Sequence, residues 1–250
     1  MENNRSSLLR PFGIPIRLHS SFLLLGGGYI LWQALSGGAS AAASALLLGG
    51  MLFGSVALHE LGHALTARAF GLRTRDITLY PFGGVAALEG EPKPGRQEAL
   101  IALAGPAVNL VLAAIALPFA LSGSALALSF VGLNAIMGVF NLLPAFPMDG
   151  GRVLRSWMAR RSGDPLQATE RALGISRWLS WGMLAIGVFQ GGSLVLVGLA
   201  LLWMNRQERR RLEMQRLEMQ RRAQVRARRE TKVVAHDHWQ GPPMWSHPAV

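Results

Sequence analysis

His59-Glu60-Leu61-Gly62-His63 sets two imidazoles four residues apart with a carboxylate beside the first. On a helix this spacing brings both rings to one face, where they can share a zinc ion, and Glu60 can act as a base toward a water at that ion. The chemistry indicated is metal-assisted hydrolysis. The motif lies inside an apolar run from about Ala42 to Phe70, so the site is expected within a membrane rather than on a soluble helix.

Two histidines do not complete a catalytic zinc site, which takes three protein ligands and leaves a fourth position for water. The chain has no cysteine, so the third ligand must come from His, Asp or Glu. Asp149 is the leading candidate. It stands in Asn141-Leu142-Leu143-Pro144-Ala145-Phe146-Pro147-Met148-Asp149-Gly150-Gly151-Arg152, where two prolines break the end of an apolar stretch and two glycines follow the acid. A broken helix is tolerated at membrane depth only where protein or a water-filled cavity satisfies the freed backbone, so this segment is expected to line a polar chamber. The alternative is a loop acid paired with Arg152 or Arg155.

Gly105-Pro106-Ala107-Val108-Asn109 adds a further polar group to an apolar stretch. Asn109 can hydrogen-bond a substrate carbonyl or an oxyanion, or simply tie helices together, and the residues alone leave both roles open. Gly105, one turn away, permits close helix approach. Asn141 is open in the same way, with bracing of the break as its simpler role.

These residues must be positioned by a membrane fold. Half of the 250 residues are hydrophobic and 16% are charged, and the mean hydropathy is +0.28, which together indicate an integral membrane protein. The fold class expected is an all-α polytopic membrane protein of about six transmembrane helices with a small membrane-associated β-hairpin or sheet. Apolar segments lie near 21–36, 43–69, 99–121, 125–143, 175–190 and 192–204. The fifth contains Arg177 and is marginal, so a count of five is the alternative. Asp76 to Tyr80 and Val85 to Leu88 read as two short strands around Pro81-Phe82-Gly83-Gly84.

Arginine and lysine fall before the first span, between the second and third, between the fourth and fifth, and after the sixth. The positive-inside rule then puts both termini in the cytoplasm, with the multi-pass chain in the plasma (inner) membrane and His59 to His63 toward the cytoplasmic end of the second span. The first apolar segment is rich in glycine for a leader peptide, and the charge pattern is coherent only if that segment stays as a span. Residues 206–232 carry ten Arg and one Lys against four Glu. Beside a span, this reads as a basic juxtamembrane helix held at anionic lipid, and no nucleic-acid partner is expected. The division expected is a membrane domain at 1–205, the basic helix at 206–232 and a disordered tail at 233–250. Arginine at 23 of the 25 basic positions hints at a prokaryotic source.

His59 to His63, Gly105 to Asn109 and Asn141 to Arg152, in this order and spacing, resemble the motifs of the site-2 protease family of intramembrane zinc metalloproteases. Phe12 to Arg17 and Pro81 to Gly84 also look like that family, so the resemblance covers roughly residues 11–205. It implies that His59, His63 and Asp149 hold one Zn2+ per chain and that Glu60 is the catalytic base. It further implies that Asn109 and Asn141 line the site and help position substrate. The strands around Gly83 and Gly84 would correspond to the sheet that holds substrate in extended form, and the substrate would be a membrane protein with a transmembrane helix. The acidic motif reads Met-Asp-Gly where relatives usually have Leu-Asp-Gly, an apolar exchange that spares the ligand. The 71–98 loop is short for a PDZ domain and the tail short for paired CBS domains, so regulation by such modules is not expected. Rival readings are a divalent-metal transporter of the ZIP type and an inactive homologue that binds membrane proteins without cutting them. The transporter would need further ligand sets along a path, and the second is opposed by the intact ligands and base.

Overall fold

The stretch from Ser20 to Ala69 is rich in alanine and leucine and free of proline, and it forms α1 (Ser20–Ala69) in the computed structural model, which describes residues 9–81, 83–190 and 192–237. α1 is not one rod. Gly38 has φ 74° and ψ −170°, a conformation open to glycine alone, and it breaks the helix into two arms. The rings of Phe22 and Phe53, almost equally far from Gly38 along the chain, meet edge to face at 4.0 Å, so the arms run antiparallel. The segments expected at 21–36 and 43–69 are these two arms, joined by a glycine turn rather than a loop.

The second arm of α1 carries a three-stranded sheet. β1 (Ile16–Leu18) pairs in parallel with β2 (Arg73–Tyr80), and β2 pairs antiparallel with β3 (Gly83–Glu89). The hairpin expected from the sequence is β2 and β3, both longer than anticipated, while β1 was not foreseen. Ile16 lies opposite Ile77, and Leu18 opposite Leu79. Because side chains alternate across a strand, one sheet face is apolar, and Ile16, Ile77 and Leu79 pack with Ile14 and with Val56, Leu61 and Ala64 of α1. This cluster fixes the rotation of α1 about its axis and turns its opposite face toward the remaining helices.

Those helices are α2 (Arg96–Leu121), α3 (Ala125–Asn141), α4 (Asp149–Ser162), α5 (Pro165–Gln190) and α6 (Ser193–Asp237). Ser124 caps α3 by accepting from the Ala127 amide at 3.3 Å. Gly163, at φ 70°, ends α4, and Asp164 caps α5 by accepting from the amides of Leu166 and Gln167 at 2.9 and 3.1 Å. The fifth apolar segment therefore begins at Pro165, ten residues earlier than its apolar run. α4 was not foreseen as a helix. The remaining expected segments fall on α2, α3 and the first part of α6. Among the described residues, α1, α2 and α5 are long and apolar enough to cross a membrane, and α3 is a shorter apolar helix.

The chain divides into two compact units, one ending at Asn205 and the other beginning at Arg206. In the second unit, helical residues are largely exposed and Arg211 pairs with Glu208 at 3.4 Å. Residues 233–237, expected in the disordered tail, belong to α6, since no proline or glycine interrupts the chain before Gly241. The rest of that expected tail lies outside the described residues.

Candidate metal centre

Ser55, His59 and His63 recur at four-residue steps on the face of α1 turned away from the sheet. They meet a buried stripe of α2 made by Glu98, Ile101, Ala102, Gly105, Pro106, Asn109 and Ala113, spaced at three and four residues. The two helices approach closely at two glycines. A Cβ at Gly62 would fall 2.9 Å from the Ala104 carbonyl oxygen, and one at Gly105 would collide with the Nε2 atoms of both histidines. Glycine at 105 is thus what leaves room for the rings.

His59 Nε2 and His63 Nε2 lie 3.1 Å apart, and Asp149 Oδ2 lies 3.2 Å from each. All three residues are buried. The other nitrogen of each ring is already engaged. His63 Nδ1 is 2.7 Å from the Ile101 carbonyl oxygen, and His59 Nδ1 is 2.5 Å from Asn109 Oδ1. A carbonyl oxygen only accepts, so Nδ1 of His63 carries the proton and its Nε2 presents a lone pair to the cluster.

Asp149 reaches the histidines because the first turn of α4 is pressed onto the segment that precedes it. A Cβ at Gly150 would strike the carbonyls of Leu142 and Leu143, and one at Gly151 would lie 2.7 Å from the Ala145 carbonyl carbon. The two glycines that follow the acid are therefore required by close packing at the start of a helix. At that position the carboxylate also faces the positive end of the helix dipole. Ser176 of α5 holds the same segment from outside, accepting from the Phe146 amide at 2.9 Å. From α2, Glu98, 1% exposed, pairs with Arg155 and accepts from Ser156 Oγ at 2.7 Å, which ties α4 to the helix that supports the histidines. The paired-acid alternative for Asp149 reduces to a marginal contact, with Arg152 Nη1 4.0 Å from Oδ1.

Glu60 points along the sheet side of the cluster. A Cβ at Gly84 of β3 would lie 3.0 Å from Glu60 Cδ and 3.1 Å from Oε1, so the bare backbone of Gly84 forms one wall of the carboxylate's pocket. Gly83, opposite Tyr80 in the register, adopts φ 142° at the turn. Asn109 is fully buried and spends its amide on His59 and, at 2.9 Å, on Asn134 Oδ1. Asn141 sits at the end of α3 and donates to the Met137 carbonyl of its own helix at 2.9 Å. The structure thus gathers His59, His63, Asp149 and Asn109 by direct contact and sets Gly84 against Glu60, while Asn141 makes no hydrogen bond to them. Asn134, Ser55 and Glu98 were not singled out from the sequence. The available signal was a polar or charged residue within an apolar run.

Zinc fits these donors. Ligands at about 2.0–2.1 Å around a tetrahedral ion lie about 3.3–3.4 Å from one another, close to the separations of the three donor atoms. Two imidazoles and a carboxylate form the ligand class of catalytic sites with one open position. Among the described residues, His59, His63 and Asp149 are the one group of this kind.

The sequence profile of Peptidase family M50 matches residues 47–132 and 120–184. Zinc metalloprotease MJ0392 of Methanocaldococcus jannaschii is 36% identical over 210 residues, covering 81% of this chain and 60% of that protein. Rip3 of Mycobacterium tuberculosis is 38% identical over 183 residues, covering 68% of this chain and 44% of that protein. Rip2 of Mycolicibacterium smegmatis is 30% identical over 226 residues, covering 72% of this chain and 83% of that protein. This chain therefore spans only 60% and 44% of the first two relatives. The solved structure of the site-2 protease from Methanocaldococcus jannaschii superposes with a TM-score of 0.59 at 35% identity, covering 81% of this chain and 94% of that one. With its motifs gathered at one buried centre on the same fold, the chain is a membrane protein that belongs to peptidase family M50, the site-2 proteases.

Proposed function

We propose that the chain is an intramembrane zinc metalloendopeptidase that hydrolyses peptide bonds in or near transmembrane segments of membrane-protein substrates. The observation that carries this reading is the buried triangle of His59 Nε2, His63 Nε2 and Asp149 Oδ2, with separations of 3.1–3.2 Å, directly beside Glu60. When bound, zinc supplies Lewis acidity, which makes a water more acidic and polarises a peptide carbonyl. His59, His63 and Asp149 would hold the ion. Glu60 removes a proton from the attacking water and returns it to the amine nitrogen as the C–N bond breaks, so that one water and one peptide bond yield a carboxylate and an amine.

A substrate helix shields its carbonyls by internal hydrogen bonds and must open locally before attack. β3 is an edge strand of the sheet, and its glycine end lies at Glu60. An extended substrate segment along Gly83 and Gly84 is consistent with that placement, with Asn141 helping to position it. The oxygen and the nitrogen of the Asn109 amide are both engaged within the protein, which favours a ring-orienting role over contact with an oxyanion. The membrane unit is taken as 1–205, followed by a basic helix at anionic lipid over 206–232. The charge pattern supports a multi-pass chain in the plasma membrane with both termini cytoplasmic.

Against a ZIP-type carrier stands the single ligand group among the described residues, since ion passage needs successive sites. Purified protein reconstituted in liposomes with a co-reconstituted membrane-protein substrate distinguishes the two. Cleavage without zinc flux is expected. Zinc flux without cleavage would overturn the proposal.

A further inference from the structure

The hydrogen bond at His59 Nδ1 is the start of a buried chain that crosses three helices. Asn109 Oδ1 lies 2.5 Å from His59 Nδ1, and Asn109 Nδ2 donates to Asn134 Oδ1 at 2.9 Å. Asn134 Nδ2 in turn donates to Ser55 Oγ at 3.0 Å and to the Phe130 carbonyl at 3.1 Å. Asn109 and Asn134 are both 0% exposed, so water does not offer either amide another partner.

The direction of this chain is forced from its far end. The Phe130 carbonyl can only accept, so the amide nitrogen of Asn134 must face it and the oxygen of Asn134 must face Asn109. That oxygen requires the nitrogen of Asn109, which leaves the oxygen of Asn109 toward His59. His59 must then carry its proton on Nδ1, and its Nε2 is left with the lone pair that a metal needs. His63 receives the same instruction in one step from the Ile101 carbonyl. The Ser55 hydroxyl can donate or accept and so imposes no direction.

We propose that Asn134 is a positioning residue of the metal centre, which fixes the tautomer and orientation of His59 through Asn109. The inference rests on the metal reading above, and it assigns to α3 a share in that centre although α3 contributes no ligand.

Zinc affinity by chelator competition, with imidazole 15N shifts of the zinc-free protein, tests it in Asn134→Leu, Asn109→Leu, the double variant and the control Ser129→Ala. Loss of an outer partner of a ligating histidine lowers metal affinity roughly 10- to 100-fold. That loss is expected for Asn134→Leu, together with a shift of the His59 proton between its two nitrogens, while Ser129→Ala stays close to wild type, because Ser129 is exposed and bonds the Ala125 carbonyl of its own helix. The double variant is expected to bind zinc no more weakly than Asn109→Leu alone, because both act on one path. Losses that multiply, or an unmoved His59 tautomer in Asn134→Leu, would overturn the inference, as would wild-type zinc affinity in that variant. Wild-type protein that held no zinc would overturn the metal reading itself and this inference with it. His59 15N shifts separate positioning from general destabilisation, since a merely structural role would leave the tautomer unchanged.

Discussion

Gly105→Ala is a single-methyl probe of the metal centre. The added Cβ would lie 2.6 Å from both His59 Nε2 and His63 Cε1, and closer still to His63 Nε2. Ordinary heavy-atom contacts lie at about 3.5–4.0 Å, so the rings would have to retreat by about an ångström or more. Neither ring can do so freely, because Asn109 and the Ile101 carbonyl hold their far nitrogens. Overpacking of this kind costs about 1–3 kcal/mol. It falls mainly on the metal-loaded state, in which the rings are pinned from both ends. At a factor of ten per about 1.4 kcal/mol, zinc affinity should fall about 5- to 150-fold. Replacing a helical glycine by alanine meanwhile favours the helix by up to about 1 kcal/mol, so the zinc-free protein should not lose much stability. Gly182 of α5, with nothing near its would-be Cβ, is the control, and Gly182→Ala should leave zinc affinity unchanged. Chelator competition followed by metal analysis measures both variants. Wild-type zinc affinity in Gly105→Ala would refute the reasoning that this glycine exists to admit the two rings.

Gly84→Ala should press on Glu60 without touching the ligands, so cleavage should drop by at least tenfold, an order of magnitude below the typical contribution of a general base, while zinc content holds. Turnover and metal analysis of the same sample check the split. Glu98→Ala removes the buried partner of Arg155 and Ser156, and breaking such a pair costs about 3–5 kcal/mol, with the lower end expected because Arg155 is partly exposed. Thermal unfolding in detergent should register it as a lowered Tm, with Asp149 displaced and zinc bound more weakly. Removal of zinc by a chelator should abolish cleavage and lower thermal stability, since a ligand at 100 times its Kd stabilises by about 2.7 kcal/mol, and both should return when zinc is restored.

The candidate site was legible in the sequence where chemistry is written at short range. His59, Glu60 and His63 declare themselves by helical spacing, and Asp149 stands out because prolines and glycines surround an acid in an apolar context. The β2–β3 hairpin was marked by Pro81 and Gly83-Gly84. What escaped the sequence depends on packing between distant elements. Asn134 looks like any asparagine in an apolar helix until the fold places it 2.9 Å from Asn109. Glu98 stood alone at the head of an apolar run, its partners Arg155 and Ser156 more than fifty residues away. β1 has only three residues and exists because β2 offers it an edge. The role of Gly150 and Gly151 escaped because the close approach of the Leu142–Phe146 backbone, which demands glycine, has no local signature.

The central claim is that a carboxylate separate from the ligands moves the proton in peptide hydrolysis at a His59-His63-Asp149 zinc centre. Glu60→Gln keeps the size and hydrogen-bonding capacity of that side chain but removes its basicity. Zinc content and cleavage of a co-reconstituted membrane-protein substrate, measured on one preparation of Glu60→Gln and one of wild type, test it most directly. The account predicts full zinc occupancy in both, with cleavage in the variant reduced about 100- to 10,000-fold. Undiminished cleavage by zinc-loaded Glu60→Gln would contradict it.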